Sequence, residues 1–254
     1  MSPLLDTIAR LRREVCALHS ELTRYELVVW TAGNVSARVP GYELMVIKPS
    51  GVAYDALTPE DIVVTDLFGE PVSGGFETRG FEKGDAGDVT SREAQAGDGN
   101  WVQWGNPVLA PSSDTAAHAY VYRNMPEVGG VVHTHSTYAT AWAARGEPIP
   151  CVLTMMGDEF GGEIPVGPFA LIGDDSIGRG IVETLRASKS PAVLMKNHGP
   201  FTVGKDARAA VKAAVMCEEV ARTVHISRQL GEPLPIDEAK IASLYHRYQN
   251  VYGQ

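Results

Sequence analysis

The chain has 254 residues, 44% of them hydrophobic and 21% charged, a balance that suits a soluble, enzyme-sized globular domain. Its formal net charge of −9 argues against non-specific binding to nucleic acid or membrane, so an anionic ligand would need a local site set against the overall field. Cys16, Cys151 and Cys217 are far apart and form no C-x-x-C pair, which points to a reducing, cytoplasmic setting rather than a disulfide framework, and no apolar run approaches the ~18 residues of a membrane span.

In chain order, Leu4, Leu5, Ile8, Leu11, Val15, Leu18 and Leu22 recur at helical spacing, so residues 4–26 read as an amphipathic helix with one buried stripe. "ELMVIKPSG" reads as a short strand entering a turn. "TPEDIVVTD" reads as a turn of helix opened by Thr58 and Pro59, then a strand. Residues 69–110 are rich in Gly, Asp, Glu and Ser, and read as a long surface insertion, a hairpin held by Trp101 and Trp104. "SSDTAAHAYVYRNM" opens with residues suited to capping and predicts a helix ended by Pro126. "EVGGVVHTH" predicts a buried strand, and "STYATAWAARG" a helix closed by Gly146. "IPCVLT" and "PVGPFALI" read as strands, "SIGRGIVETLRAS" as a helix and "PAVLMKNHGPFTVG" as a strand and hairpin. The alanine-rich stretch from Lys205 is a long helix capped by Asp206 and stopped by Gly231. No repeat or low-complexity tract interrupts the pattern, which fits one α/β domain over residues 1–254.

Two groups of residues can carry chemistry. Alternation along a strand would put His133 and His135 on one face, and His198, in "MKNHGPF", ends another apolar strand. H-x-H alone fits core or surface histidines as well as a metal pair. A third histidine at a strand end makes an open site for Zn²⁺ or Mn²⁺ plausible. His19, His118 and His225 read as structural or solvated. "TAGNVSAR", "KPSG" and the serines Ser112 and Ser113 offer hydroxyls and backbone donors suited to phosphate, with Lys48 adding a charge, although ordinary turn chemistry accounts for each singly. None is a Walker A loop or a G-x-G-x-x-G fingerprint, so a nucleotide is not suggested.

Taken together, "GNVSAR", "IKPSG", "PSSDT…H", "GGVVHTHS", "HGPF" and the terminal "YGQ" resemble the class II aldolase/adducin family, and its L-ribulose-5-phosphate 4-epimerase branch best. The resemblance runs from about residue 5 to the end, with 69–110 as the main unmatched part. It implies a three-layer α/β/α fold on a mixed, mostly antiparallel sheet, in a homotetramer with sites between subunits. It implies a divalent metal, Zn²⁺ before Mn²⁺ or Co²⁺, held by His133, His135 and His198 together with Asp114, the acidic residue beside it, which also counts among the catalytic groups. Thr31, Asn34, Ser50, Gly51, Ser112 and Ser113 match the phosphate pocket. Lys48, Thr154 and Arg247 match other substrate-binding positions. Asp158 and Tyr252 match an acid/base pair acting on opposite faces of an aldehyde. The implied reaction inverts C4 of L-ribulose 5-phosphate by retro-aldol cleavage and re-addition. An aldolase or decarboxylase on another sugar phosphate or related hydroxy-carbonyl compound is the alternative, and a scaffold that has lost its site is a third.

Overall fold

The structure, a computed structural model, describes residues 3–72 and 109–252; the side chain of Tyr252, and the core of the 69–110 insertion with Trp101 and Trp104, lie outside the described residues. Among the described residues, seven strands form one sheet: β1 (Asn34–Arg38), β2 (Leu44–Ile47), β3 (Val63–Asp66), β4 (Gly130–His133), β5 (Val166–Gly167), β6 (Ala192–Met195) and β7 (Gly199–Gly204). Their order is β3-β2-β1-β4-β7-β6-β5, and every neighbouring pair is antiparallel except β5 with β6. The central strands β1, β4 and β7 are almost wholly buried, as strands covered on both faces must be.

Among the described residues, seven α-helices clothe the sheet: α1 (Pro3–Arg24), α2 (Thr115–Asn124), α3 (Thr137–Arg145), α4 (Thr154–Phe160), α5 (Ser176–Arg186), α6 (Ala207–Leu230) and α7 (Glu238–Arg247). The predicted stripe of α1 is buried through Ile8, Leu11, Val15, Leu18 and Leu22, packing with α6 on one face of β1 and β2. Helices α2 and α5 cover the other face through Ala117, Val121, Ile177 and Ile181, and α3 and α4 complete the first layer beside α6. This is a three-layer α/β/α arrangement. Asp206 caps α6 by accepting from the Ala209 N–H, and Gly146 closes α3 in the left-handed conformation.

The structure corrects three local expectations. "IPCVLT" forms no strand: it contributes the single bridge Ile149↔Ile164, and its Thr154 starts α4. "PVGPFALI" forms only the two-residue β5. Thr58 starts no helix, because its N–H and hydroxyl both donate to Asp61 Oδ2 and close a tight turn. The tail, unassigned by pattern, folds as α7 and a π-helical turn, Tyr248–Tyr252.

One close contact fixes the layer spacing at the sheet's centre. A Cβ on Gly130 of β4 would overlap the backbone of Asp206 and Ala207 at the start of α6. Gly130→Ala is therefore expected to lower stability by about 3 kcal/mol through overpacking against backbone that cannot yield. Urea unfolding checks this, and a loss under about 1 kcal/mol would mean that α6 is not seated on β4 as described.

Candidate metal centre

His133 is the last residue of β4, fully buried, with its ring stacked on Phe201 of β7 at 4.1 Å between centroids. Its Nδ1–H donates to the Pro200 carbonyl at 3.0 Å, which leaves the lone pair on Nε2. Burial lowers its pKa to about 3, against the pull of Asp114, so the ring is neutral and able to act as a ligand near neutral pH.

His135 lies beyond the end of β4, so strand alternation is not what aligns the pair. The three-residue coil Thr134–Ser136 before α3 brings His135 Nε2 to 3.1 Å from His133 Nε2. The first-turn N–H groups of α3 at Tyr138 and Ala139 donate to the Glu218 carboxylate of α6 at 2.8 and 2.9 Å, which anchors the chain immediately after His135.

His198 sits in the β6–β7 turn. Asn197 before it takes a left-handed φ of 58° and donates its backbone N–H to the Ala143 carbonyl. Gly199 after it leaves no room for a side chain: a Cβ there would lie 2.7 Å from the Thr134 carbonyl oxygen. Burial, foremost, lowers the His198 pKa as well. The ligand atoms of His133, His135 and His198 all lie within 4.8 Å of one another. Three imidazoles, graded from buried to exposed and with one ring orientation fixed by a backbone carbonyl, fit a divalent ion with open positions.

Asp114 is not one of that group of three, although it stands close enough to interact with His133 and His198. It occupies the N-cap position of α2, yet its side chain caps nothing. Instead its Oδ2 accepts from Asn34 Nδ2 at 2.7 Å, and the same amide donates to Ser112 Oγ at 2.9 Å. Burial alone would raise the carboxyl; the neighbouring histidines and the Asn34 amide outweigh it and hold the pKa below the usual carboxylate range. Asn34 pairs with His133 across β1 and β4, so a single strand register sets the carboxylate beside the imidazoles.

Of the residues expected to bind phosphate, Ser112 touches Asn34 directly. The 48–51 and 109–112 segments are laced by Ser50 N–H to Ala110 O and Ser112 N–H to Lys48 O, at 2.9 and 3.0 Å. This sets Ser50 and Gly51, both exposed, beside Ser112 and the exposed Ser113. Lys48 is 1% exposed; its Nζ donates to the Pro49 carbonyl and lies 5.1 Å from the Tyr54 ring. Among the described residues no carboxylate forms an ion pair with it, and burial lowers its pKa. A buried cation without a counter-charge is costly, and an anionic ligand relieves that cost. Tyr54, which no motif singled out, holds the loop carrying half-buried Thr31: its hydroxyl donates to the carbonyls of Ala32 and Gly33, 2.6 and 2.9 Å away.

Asp158 and Thr154 belong to α4, and Arg247 ends α7, so these three stand on a separate packing unit. In that unit Leu244 and Tyr245 of α7 press on Gly157 and Gly161. A Lys212–Glu159 ion pair of 3.0 Å ties α6 to α4, with the Lys212 Nζ over the Tyr248 ring. Asp158 is half-buried, Thr154 and Arg247 are exposed, and Tyr252 closes the last turn.

Two further histidines read as ordinary are fully buried. His19 is structural: its Nδ1–H donates to Val15 O, and its Nε2 accepts from Val35 N–H beside Asn34. His118 lies one helical turn after Asp114, with Nδ1 2.7 Å from Ser36 Oγ. Its partner Ser36 stands 82 residues away in sequence, and Ser36 in turn meets Tyr122 86 residues on, so local pattern carried no signal of the chain.

Comparison with known proteins agrees with this geometry. The sequence profile of the Class II Aldolase and Adducin N-terminal domain matches residues 13–225. The chain is 38% identical over 262 aligned positions to the L-ribulose-5-phosphate 4-epimerase UlaF of Salmonella paratyphi C, covering 96% of this chain and 99% of that protein. Among solved structures, an L-fuculose 1-phosphate aldolase superposes with a TM-score of 0.77 at 22% identity, over 94% of this chain and 96% of that one. The L-fuculose 1-phosphate aldolase from Glaciozyma antarctica PI12 does so with 0.72 at 19%, over 98% of this chain and 85% of that one. The chain belongs to the class II aldolase and adducin family.

Proposed function

We propose that the protein is a metal-dependent L-ribulose-5-phosphate 4-epimerase that inverts C4 to give D-xylulose 5-phosphate. The observation that carries this reading is the end-to-end likeness, at 38% identity, to a protein named for that activity. A divalent ion, Zn²⁺ before Mn²⁺ or Co²⁺, held by His133, His135 and His198 would supply Lewis acidity toward the substrate's carbonyl. Asp114, kept anionic by Asn34 and the nearby histidines, orients the reacting end. Thr31, Asn34, Ser50, Gly51, Ser112 and Ser113 bind the phosphate, and Lys48 neutralises it. Thr154 and Arg247 line the rest of the pocket. Asp158 and Tyr252 move the proton at the C4 hydroxyl oxygen, one on each face of the aldehyde. Two groups are needed because the oxygens of the two epimers point in opposite directions.

The working unit in this reading is a cytoplasmic homotetramer of single-domain chains with sites between subunits and an insertion at about 69–110. Exposed apolar side chains such as Trp30 and Leu171, 87% and 73% exposed, support subunit contacts, and among the described residues no helix is long and apolar enough to cross a membrane. The test is product analysis by NMR with metal-loaded protein and L-ribulose 5-phosphate. D-xylulose 5-phosphate as the main product is expected. Net release of glycolaldehyde phosphate and dihydroxyacetone would make the protein an aldolase, and no turnover with metal bound would sink the reading.

A further inference from the structure

Three polar atoms around Asp114 are buried and, among the described residues, without a protein partner: Asp114 Oδ1, Asn34 Oδ1 and His118 Nε2. Their residues are 6%, 2% and 0% exposed, so solvent does not satisfy them. They are neighbours. Asn34 Nδ2 already donates to the other oxygen of Asp114, and His118 is one turn along α2 from it, near enough for the two charges to be felt. A buried polar atom left unmade costs free energy, and three in one place have a common solution. Two are acceptors. The third is a ring nitrogen whose role depends on the tautomer.

The tautomer can be read from the opposite side of the ring. Tyr122 is buried, and a buried phenol O–H must donate; the acceptor 2.8 Å away is Ser36 Oγ. The Ser36 hydroxyl, having accepted from Tyr122, donates onward to His118 Nδ1 at 2.7 Å. A neutral imidazole that accepts at Nδ1 carries its proton on Nε2. The three unpartnered atoms are then one donor and two acceptors, the complement of a single water molecule that accepts once and donates twice.

We propose that His118 is a positioning residue for Asp114: as the Nε2–H tautomer it donates to one buried water shared with Asp114 Oδ1 and Asn34 Oδ1, and Ser36 and Tyr122 hold that tautomer from behind. This rests on the reading of Asp114 as the site carboxylate. The water and Asn34 then fix both oxygens of Asp114, so its plane cannot rotate when substrate arrives. Ser36 and Asn34 lie two residues apart on β1, so the same strand face holds both ends of the arrangement.

The first test needs no substrate. In the whole protein labelled with ¹⁵N-histidine, and assigned with His118→Gln, long-range ¹H–¹⁵N correlations should show His118 protonated on Nε2 and bare on Nδ1. Asp114→Asn should move the His118 Nε2 resonance and leave His19 in place. Ser36→Ala should release the tautomer and populate Nδ1–H. A His118 found as the Nδ1–H form in the wild type, or indifferent to Asp114→Asn, overturns the proposal. The second test is kinetic. His118→Leu should lower kcat about 10–100-fold, with KM and bound metal unchanged. His118→Gln, which returns a donor close to the Nε2 position, should recover most of the loss. Equal losses in the two variants, or a rise in KM alone, would also overturn it. If the wild type itself fails to turn over L-ribulose 5-phosphate, the epimerase reading falls, and the tautomer experiment still decides the role of His118.

Discussion

Replacing His135 with asparagine is expected to leave a folded protein that no longer retains a divalent ion and turns over the pentulose phosphate at least about 100-fold more slowly. The magnitude follows from position: loss of an outer-shell partner of a metal costs roughly 10–100-fold, and loss of a ligand should exceed that. His135 is the right member of the three to remove. His133 is buried and stacked on Phe201, so its loss would confound core damage with site damage. His135 is exposed and lies outside the strand, so its ring contributes little to packing. His225, also exposed and bonded to Gln229, is the matched control, and His225→Asn should keep both metal and rate. Metal content, melting temperature and kcat/KM are the three measurements. A His135→Asn protein with full metal content and full rate would remove the three histidines as the ligand set.

The second large effect is acid lability. His19 and His118 are fully buried, and burial, foremost, lowers their pKa values to about 3 and about 4. Both titrate near 6.5 in the unfolded chain. Between those limits the unfolded state binds a proton on each of these rings that the folded state refuses, as it does for His133, so stability rises with pH. The stabilisation is fully present above about 6.5 and is lost as the pH falls toward 4. Each proton is worth about 1.4 kcal/mol per pH unit, so the pair gives a slope of about 3 kcal/mol per pH unit near pH 5. Over two pH units this rivals the whole stability of an ordinary domain. Urea unfolding from pH 7.5 to 4.5 should show at least this slope, and His118→Gln should lower it by about 1.4 kcal/mol per pH unit. A stability that is flat down to pH 5 would mean that one or both rings are already charged or hydrated in the folded protein.

Much of the architecture was legible in the sequence because the decisive signals were local. The apolar spacing of α1, Asp206 before α6 and Gly146 after α3 each act within a few residues, and each appears where the pattern put it. The failures were of two physical kinds. "IPCVLT" is a short apolar run, which a strand and a buried irregular segment share; burial against α3, α4 and α6 settled it, and only the tertiary structure holds that information. Helix α7 buries none of its residues completely, so it had no strong stripe to betray it, and it is held by two side chains fitted to two glycines. The histidine group was found because strand ends converge in such a sheet, although the alternation argument for His135 was wrong in detail. Lys48 and Asn34 were named for their motif, whereas Tyr54, Glu218 and the Ser36–His118–Tyr122 chain act across the sheet and left no mark in their own neighbourhoods.

Asn34, His133 and Phe201 face one another across β1, β4 and β7, the middle of the sheet. Amides there are expected to exchange with solvent only when the entire molecule opens, while α7, with no fully buried residue, can detach and return on its own. The two parts of the site therefore have different evolutionary freedom. A change that loosens the histidine end loosens the fold and is removed by selection whatever it does for chemistry. The α4–α7 unit, which carries Asp158 and leads to Tyr252, can be rebuilt at little cost to folding. New substrates in this lineage should accordingly arise from substitutions in α7, the turn after it and α4, with the sheet's centre inherited unchanged.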